Sequence, residues 1–143
     1  MSALLDVNVL LALLDAEHIH HNRAWDWLDD HIEEGWASCA ITQNGFIRII
    51  SHTHYSNPVT PTEAIELLEE AMDTEYHSYW NCDISAADRN HIDRRFLLGS
   101  KQLTDSYLLA LAVAHDGVFL TLDQGVELRS VPAATKNHLV VIP

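Results

Sequence analysis

Basic residues are scarce in this chain. Its 143 residues hold eight Lys and Arg against 21 Asp and Glu, a net charge of −13 with His counted neutral. Proteins that grip nucleic acid through many phosphates present a broad basic face, and this composition excludes one. Any phosphate contact must be small and local, helped by bound cations. The same imbalance suits a basic partner, while scattered acids such as Glu33, Glu34, Glu69 and Glu70 serve solubility. Cysteine is nearly absent: Cys39 and Cys82 form no CxxC spacing, so buried free thiols in a reducing cytoplasm are expected. No apolar run approaches the roughly 20 residues of a membrane helix. No basic leader precedes the first apolar run, and a signal peptide is not expected. Repeats, low-complexity tracts and linkers are also missing.

What is present suits one domain spanning residues 1–143. Domains most often run to roughly 100–150 residues, and a hydrophobic fraction of 48% is enough to build one core. Apolar runs and helical patterns alternate. Residues 3–6 read as a strand and 9–14 as a buried helix. Residues 18–34 carry Ala24, Trp25, Leu28 and Ile32 at helical spacing, with Gly35 as a stop. A small strand over 36–41 precedes a helix capped by Thr42 and running to Ile50, with Phe46, Ile49 and Ile50 inward. Residues 51–60, with Asn57-Pro58, read as a loop.

Pro61 opens another helix, whose apolar set is Ala64, Ile65, Leu67, Leu68, Ala71 and Met72. A strand over 76–83 follows, then a short helix over 85–92 capped by Ser85, then a connection over 94–102. The helix over 104–115 has Thr104 as its cap and Asp105 in its first turn. A turn at Asp116-Gly117, a strand over 118–122 and a closing strand over 139–142 complete the chain. This alternation predicts an α/β fold, with a mostly parallel sheet covered on both faces.

Three aspartates then stand out. Asp6 and Asp123 each end a short apolar run, and Asp105 opens the helix over 104–115. In parallel sheets the carboxyl ends of the strands and the starts of the following helices share one rim, where functional groups collect. Three carboxylates converging there repel one another unless a cation sits between them. Oxygen-only ligands favour Mg²⁺ or Mn²⁺ over zinc. A metal-dependent enzyme is the expectation.

The residues Leu4-Leu5-Asp6-Val7-Asn8-Val9-Leu10, Thr42-Gln43-Asn44-Gly45-Phe46-Ile47-Arg48-Ile49, Leu103-Thr104-Asp105-Ser106-Tyr107-Leu108 and Leu120-Thr121-Leu122-Asp123 occur in an order that resembles the PIN-domain ribonucleases, and among them the VapC-type toxins of toxin–antitoxin pairs. The resemblance covers nearly the whole chain. It implies a three-layer α/β/α sandwich, a Mg²⁺- or Mn²⁺-dependent endoribonuclease, a homodimer and a cognate antitoxin protein that blocks the site. Its metal-holding and catalytic residues would be Asp6, Asp105 and Asp123, and its products would carry a 3′-hydroxyl and a 5′-phosphate. The homodimer contact is expected to be apolar, near Phe46, Ile50, Leu67 and Met72.

Gln43 departs from the pattern, because many relatives place a glutamate there. An amide oxygen can ligate a metal but adds no charge. If Gln43 faces the metal, Gln43→Glu should tighten metal binding. Asp15, Glu17 and Asp83 are alternative sources of a further carboxylate, and nothing in their spacing singles one out. Asn8 either orients a ligand or caps a helix. Thr121 either donates to Asp123 or a metal-bound water, or satisfies the strand end.

Histidines cluster at His18, His20, His21 and at His52, His54, without the i, i+4 pair of helical zinc sites. They could line an RNA entrance and add local positive charge, since histidine titrates near neutral pH. Arg48, Arg94, Arg95 and Lys101 are the other candidate RNA-binding residues. Of Trp25, Trp27, Trp36 and Trp80, at least three are expected to serve packing. Two rival functions remain: a non-catalytic PIN-like module that binds RNA or protein, and a phosphatase with Asp6 as nucleophile. The phosphatase would call for DxD where the chain has Asp6-Val7-Asn8.

Overall fold

The computed structural model describes residues 1–143. Five strands form one sheet: β1 (Ala3–Leu5), β2 (Trp36–Cys39), β3 (His77–Trp80), β4 (Val118–Thr121) and β5 (Leu139–Val141). Their order is β3-β2-β1-β4-β5, and every neighbouring pair is parallel. The five α-helices are α1 (Val7–Leu14), α2 (His21–His31), α3 (Ala40–Ile50), α4 (Pro61–Met72) and α5 (Leu103–Ala114).

Side chains alternate across a strand, so each strand feeds two cores. Ala3, Leu5, Trp36 and Leu120 pack with α1 to α4, whereas Leu4, Ala37, Cys39 and Phe119 pack with α5. Strands buried on both faces read as continuous apolar runs; this is why such short segments were recognisable. The result is the expected three-layer α/β/α sandwich.

The strand order also fixes the site. The chain builds outward from β1 through β2 to β3, then crosses back to place β4 on the other side of β1. The carboxyl ends of β1 and β4 therefore flank the point where the winding reverses, which is where open α/β sheets form their crevice.

Several local expectations are corrected. Helix α3 starts at Ala40 with Cys39 as its N-cap, and Thr42 sits inside the first turn, its hydroxyl bonding back to the Cys39 backbone. Thr104 likewise lies inside α5, which has no side-chain cap. Residues 85–92 form turns rather than a helix, because the Ser85 hydroxyl accepts from the Ala87 amide and the Asp88 carboxylate from the Asn90 amide. These local bonds compete with helical pairing. Helix α2 begins only at His21, and β3 ends at Trp80.

Ile65 points outward, 51% exposed. Phe46 and Ile50 lie in the protomer's own core, at 0% and 2% exposure, so neither is free to form a dimer contact. Trp36 and Trp80 are buried and Trp27 packs against the core, leaving Trp25 as the partly exposed one at 39%. Cys39 and Cys82 are free thiols, with Cys39 buried. No helix is long and apolar enough to cross a membrane.

Candidate active site

Asp6 leaves β1 and caps α1, its Oδ1 accepting from the Val7 amide at 2.7 Å. Its Oδ2 accepts from the Thr121 hydroxyl at 2.7 Å. The neighbouring strand delivers that hydroxyl, since Leu5 is in register with Leu120 and the Asp6 amide donates to the Leu120 carbonyl. Thr121 Oγ1 accepts in turn from the Asp123 amide at 3.0 Å and from Asn8 Nδ2 at 3.3 Å. One hydroxyl thus uses its proton and both lone pairs. The expected partner of Thr121 is corrected: it donates to Asp6, not to the Asp123 carboxylate. Asn8 is not a cap either, because its side chain straps α1 to β4, with Oδ1 accepting from the Leu122 amide at 3.2 Å.

Asp123 Oδ1 accepts from the Gly125 amide at 2.7 Å, which fixes the turn after β4. Asp105 sits in the first turn of α5. A buried pair, Ser106 Oγ to Ser130 Oγ at 2.7 Å, braces that turn against residues 127–131. Sequence reasoning missed this pair, and a lone serine inside a helix gives no signal of a partner 24 residues away.

The electrostatics join the three acids. Burial pushes the Asp105 carboxyl up to about 7, with the charges of Asp6 and Asp123 and a hydrogen bond to Asp123 adding to the effect. Asp6, only 6% exposed, is also raised by burial; the Thr121 and Val7 hydrogen bonds oppose this, and Asp123 adds to it. A small recess holds Asp105 and Asp123 together with Lys101 and Gln102. No three His, Cys, Asp or Glu side chains already enclose a point at ligand distance. What the rim offers is hard carboxylate oxygens under mutual repulsion, which suits a small divalent cation.

Gln43 is committed elsewhere. Its amide nitrogen donates to Ser38 Oγ at 2.9 Å and contacts Met72 Sδ at 3.3 Å, and Ser38 also meets His77 Nε2 at 2.8 Å. No hydrogen bond links Gln43 to the three aspartates. Asp15 accepts from the Tyr55 hydroxyl, Glu17 from Asn57, and Asp83 pairs with His115, and none of these acids is hydrogen-bonded to the three aspartates. The histidine clusters form no metal site. Arg95 is held by a two-point contact with Asp93, and Arg94 donates to the Ala87 carbonyl. Arg48 is exposed and unpaired.

An apolar cavity of about 410 Å³ lies between α1, α2 and α4 and is lined by Leu10, Leu13, Leu28 and Leu67 among others. Its lining holds a single acid, Glu70, and none of the three aspartates.

Residues 3–132 match the family model described as PIN domain. The chain is 57% identical over 142 residues to Ribonuclease VapC44 of Mycobacterium tuberculosis (strain ATCC 25618 / H37Rv), covering 99% of this chain and 100% of that protein. It is 36% identical over 126 residues to Ribonuclease VapC29 of the same strain, covering 88% and 89% respectively. A chain in the crystal structure of VapBC2 from Rickettsia felis bound to a DNA fragment from their promoter matches with a TM-score of 0.64 over 100% of both chains at 11% identity, a likeness of fold. The chain belongs to the PIN-domain family, with the VapC ribonucleases as its relatives.

Proposed function

We propose that this chain is a metal-dependent endoribonuclease acting as the toxin of a toxin–antitoxin pair. The observation that supports this most is the full-length similarity to Ribonuclease VapC44. At the rim, Asp105, raised to about 7 by burial and by the charges of Asp6 and Asp123, is a carboxyl that a divalent cation would return to its charged form. Mg²⁺ or Mn²⁺ would be held by Asp6, Asp105 and Asp123. When bound, such an ion supplies a water of lowered pKa and neutralises charge developing on the phosphodiester.

The protein's own residues do the positioning. Thr121 and the Val7 amide hold both oxygens of Asp6. The Gly125 amide orients Asp123, and the first turn of α5 favours the negative charge of Asp105. Asn8 acts through Thr121 and the Leu122 amide, keeping the ends of β1 and β4 in register.

The ribonuclease relatives support RNA cleavage, and the fold shared with a chain of the VapBC2 assembly supports an antitoxin partner. A net charge of −13 suits an antitoxin with a basic surface. A homodimer and a cytoplasmic location belong to the same reading. Incubation of the purified protein with RNA in Mg²⁺, Mn²⁺ or EDTA tests it. Cleavage in either metal, lost in EDTA and in Asp105→Asn, is expected. Cleavage that persists in EDTA, or none in any metal, would leave a metal-independent enzyme or a non-catalytic binding module.

A further inference from the structure

The acid rim continues into a groove that the roles above do not use. It begins at Val7 and Thr104, the residues beside Asp6 and Asp105, and runs along α3 past Asn44 and Gly45 to Arg48. Arg48 and Ile49 border both this groove and a smaller hollow of about 240 Å³ beyond it, walled by His52, His54 and Tyr55.

Of the eight Lys and Arg, Arg95 and Arg129 are neutralised by Asp93 and Glu127, and of the six that join no ion pair Arg48 is the one that lines this groove. Arg48 is exposed on the groove and joins no ion pair, and Lys101, also in no ion pair, lines the recess of Asp105 and Asp123. Free cations therefore border both the groove and the acid recess.

The hollow is walled by rings already held in place. Tyr55 donates to Asp15 Oδ2 at 2.6 Å, anchoring the loop after α3 to the end of α1. The His54 amide donates to His52 Nδ1 at 3.1 Å, and the two imidazoles lie 5.1 Å apart at 59°. Rings fixed beside an unpaired guanidinium suit a nucleotide, with a base stacked and a phosphate paired.

Resting on the ribonuclease reading, we propose that RNA flanking the cut runs along this groove. One phosphate meets Arg48, the adjoining base enters the hollow against His52, His54 and Tyr55, and Lys101 holds the strand at the acid recess. These are positioning residues for the substrate. With so few phosphate contacts, binding should depend weakly on salt.

Two measurements on the full chain test this: cleavage kinetics on a random-sequence single-stranded RNA pool in Mg²⁺, and anisotropy of the same pool, fluorescently labelled, in Ca²⁺. Arg48→Gln and His52→Ala should each raise KM about tenfold with kcat nearly unchanged, the loss expected of one charge-assisted or stacking contact. Arg48→Gln should also reduce the salt slope of binding by about 0.7, the share of one phosphate on a single strand. Lys136→Gln, at an exposed cation that lines neither the groove nor the recess, should change neither. Unaltered KM and salt slope in Arg48→Gln would overturn the proposal, as would equal losses in Lys136→Gln. A wild-type chain that binds RNA through Arg48 but cuts nothing would overturn the ribonuclease reading and leave the groove standing. A chain that neither binds nor cuts would overturn both.

Discussion

Thr121 holds Asp6 across the sheet: the Thr121 hydroxyl donates to Asp6 Oδ2 at 2.7 Å, linking the ends of two parallel strands that are 115 residues apart in sequence. Both residues are buried, Thr121 at 0% and Asp6 at 6% exposure. The bond opposes the rise in pKa that burial imposes on Asp6. A carboxylate is thereby kept available where an apolar strand end would otherwise favour its protonated form.

Thr121→Val keeps the shape of the side chain but removes this donor, and leaves the Asp123 amide and Asn8 Nδ2 without an acceptor. The expected cost is about 1–3 kcal/mol in urea unfolding, with a larger proportional loss of nuclease activity as Asp6 is released. Thr121→Ser should restore most of both. Valine at wild-type activity would mean that Asp6 is not oriented through this bond.

The placement of the acids was legible because β1 is a short apolar strand that runs straight into Asp6, because Val118-Phe119-Leu120 makes β4 apolar up to Thr121 just before Asp123, and because α5 has an apolar pattern around Asp105. The partner of Thr121 was not legible, since it depends on the register that sets Leu5 beside Leu120. Nor was the start of α3. Thr42 looks like an N-cap, but a hydroxyl three residues into the helix bonds back to Cys39 and gives the same sequence signature. The direction of Gln43 depends on helix phase: starting α3 at Ala40 turns its side chain toward Ser38 and α4.

Gly45 marks the close approach of α3 to α1. A Cβ built there would stand 2.7 Å from Val7 Cγ2, the side chain of the residue whose amide holds Asp6. Gly45→Ala should cost about 1–3 kcal/mol through overpacking, even though alanine is the better helix former. It should lower kcat as well, by shifting Val7. A variant more stable than wild type would show that the helices separate freely.

Gln43→Glu tests the side of α3 opposite the groove. The carboxylate would meet the Met72 sulfur and the Ser38 hydroxyl in place of an amide donor, close to His77, whose imidazole burial already holds below its usual pKa. A modest loss of stability is expected, about 1 kcal/mol, with metal affinity unchanged by isothermal titration calorimetry. Tighter Mg²⁺ binding would mean that the side chain reaches the rim after all.

Asp105 should make the stability of the metal-free protein depend on pH. Its carboxyl lies at about 7 in the fold against 3.8 for the free side chain. Between those values the folded state binds more protons than the unfolded state, so stability falls as pH rises through that window and levels off above it. Taken in full, the shift would correspond to about 4 kcal/mol; Asp105 is only partly buried, and solvent screening reduces this to about 1–2 kcal/mol. In EDTA, Asp105→Asn should therefore be more stable than wild type by about that amount at pH 8 and nearly equal at pH 4. Mg²⁺ should reverse the order, because it stabilises the wild type in proportion to its occupancy and the variant far less. Urea melts at both pH values, with EDTA and with Mg²⁺, read all four cases. A wild type as stable at pH 8 as at pH 4 in EDTA, relative to the variant, would show that the Asp105 charge is not strained by its neighbours.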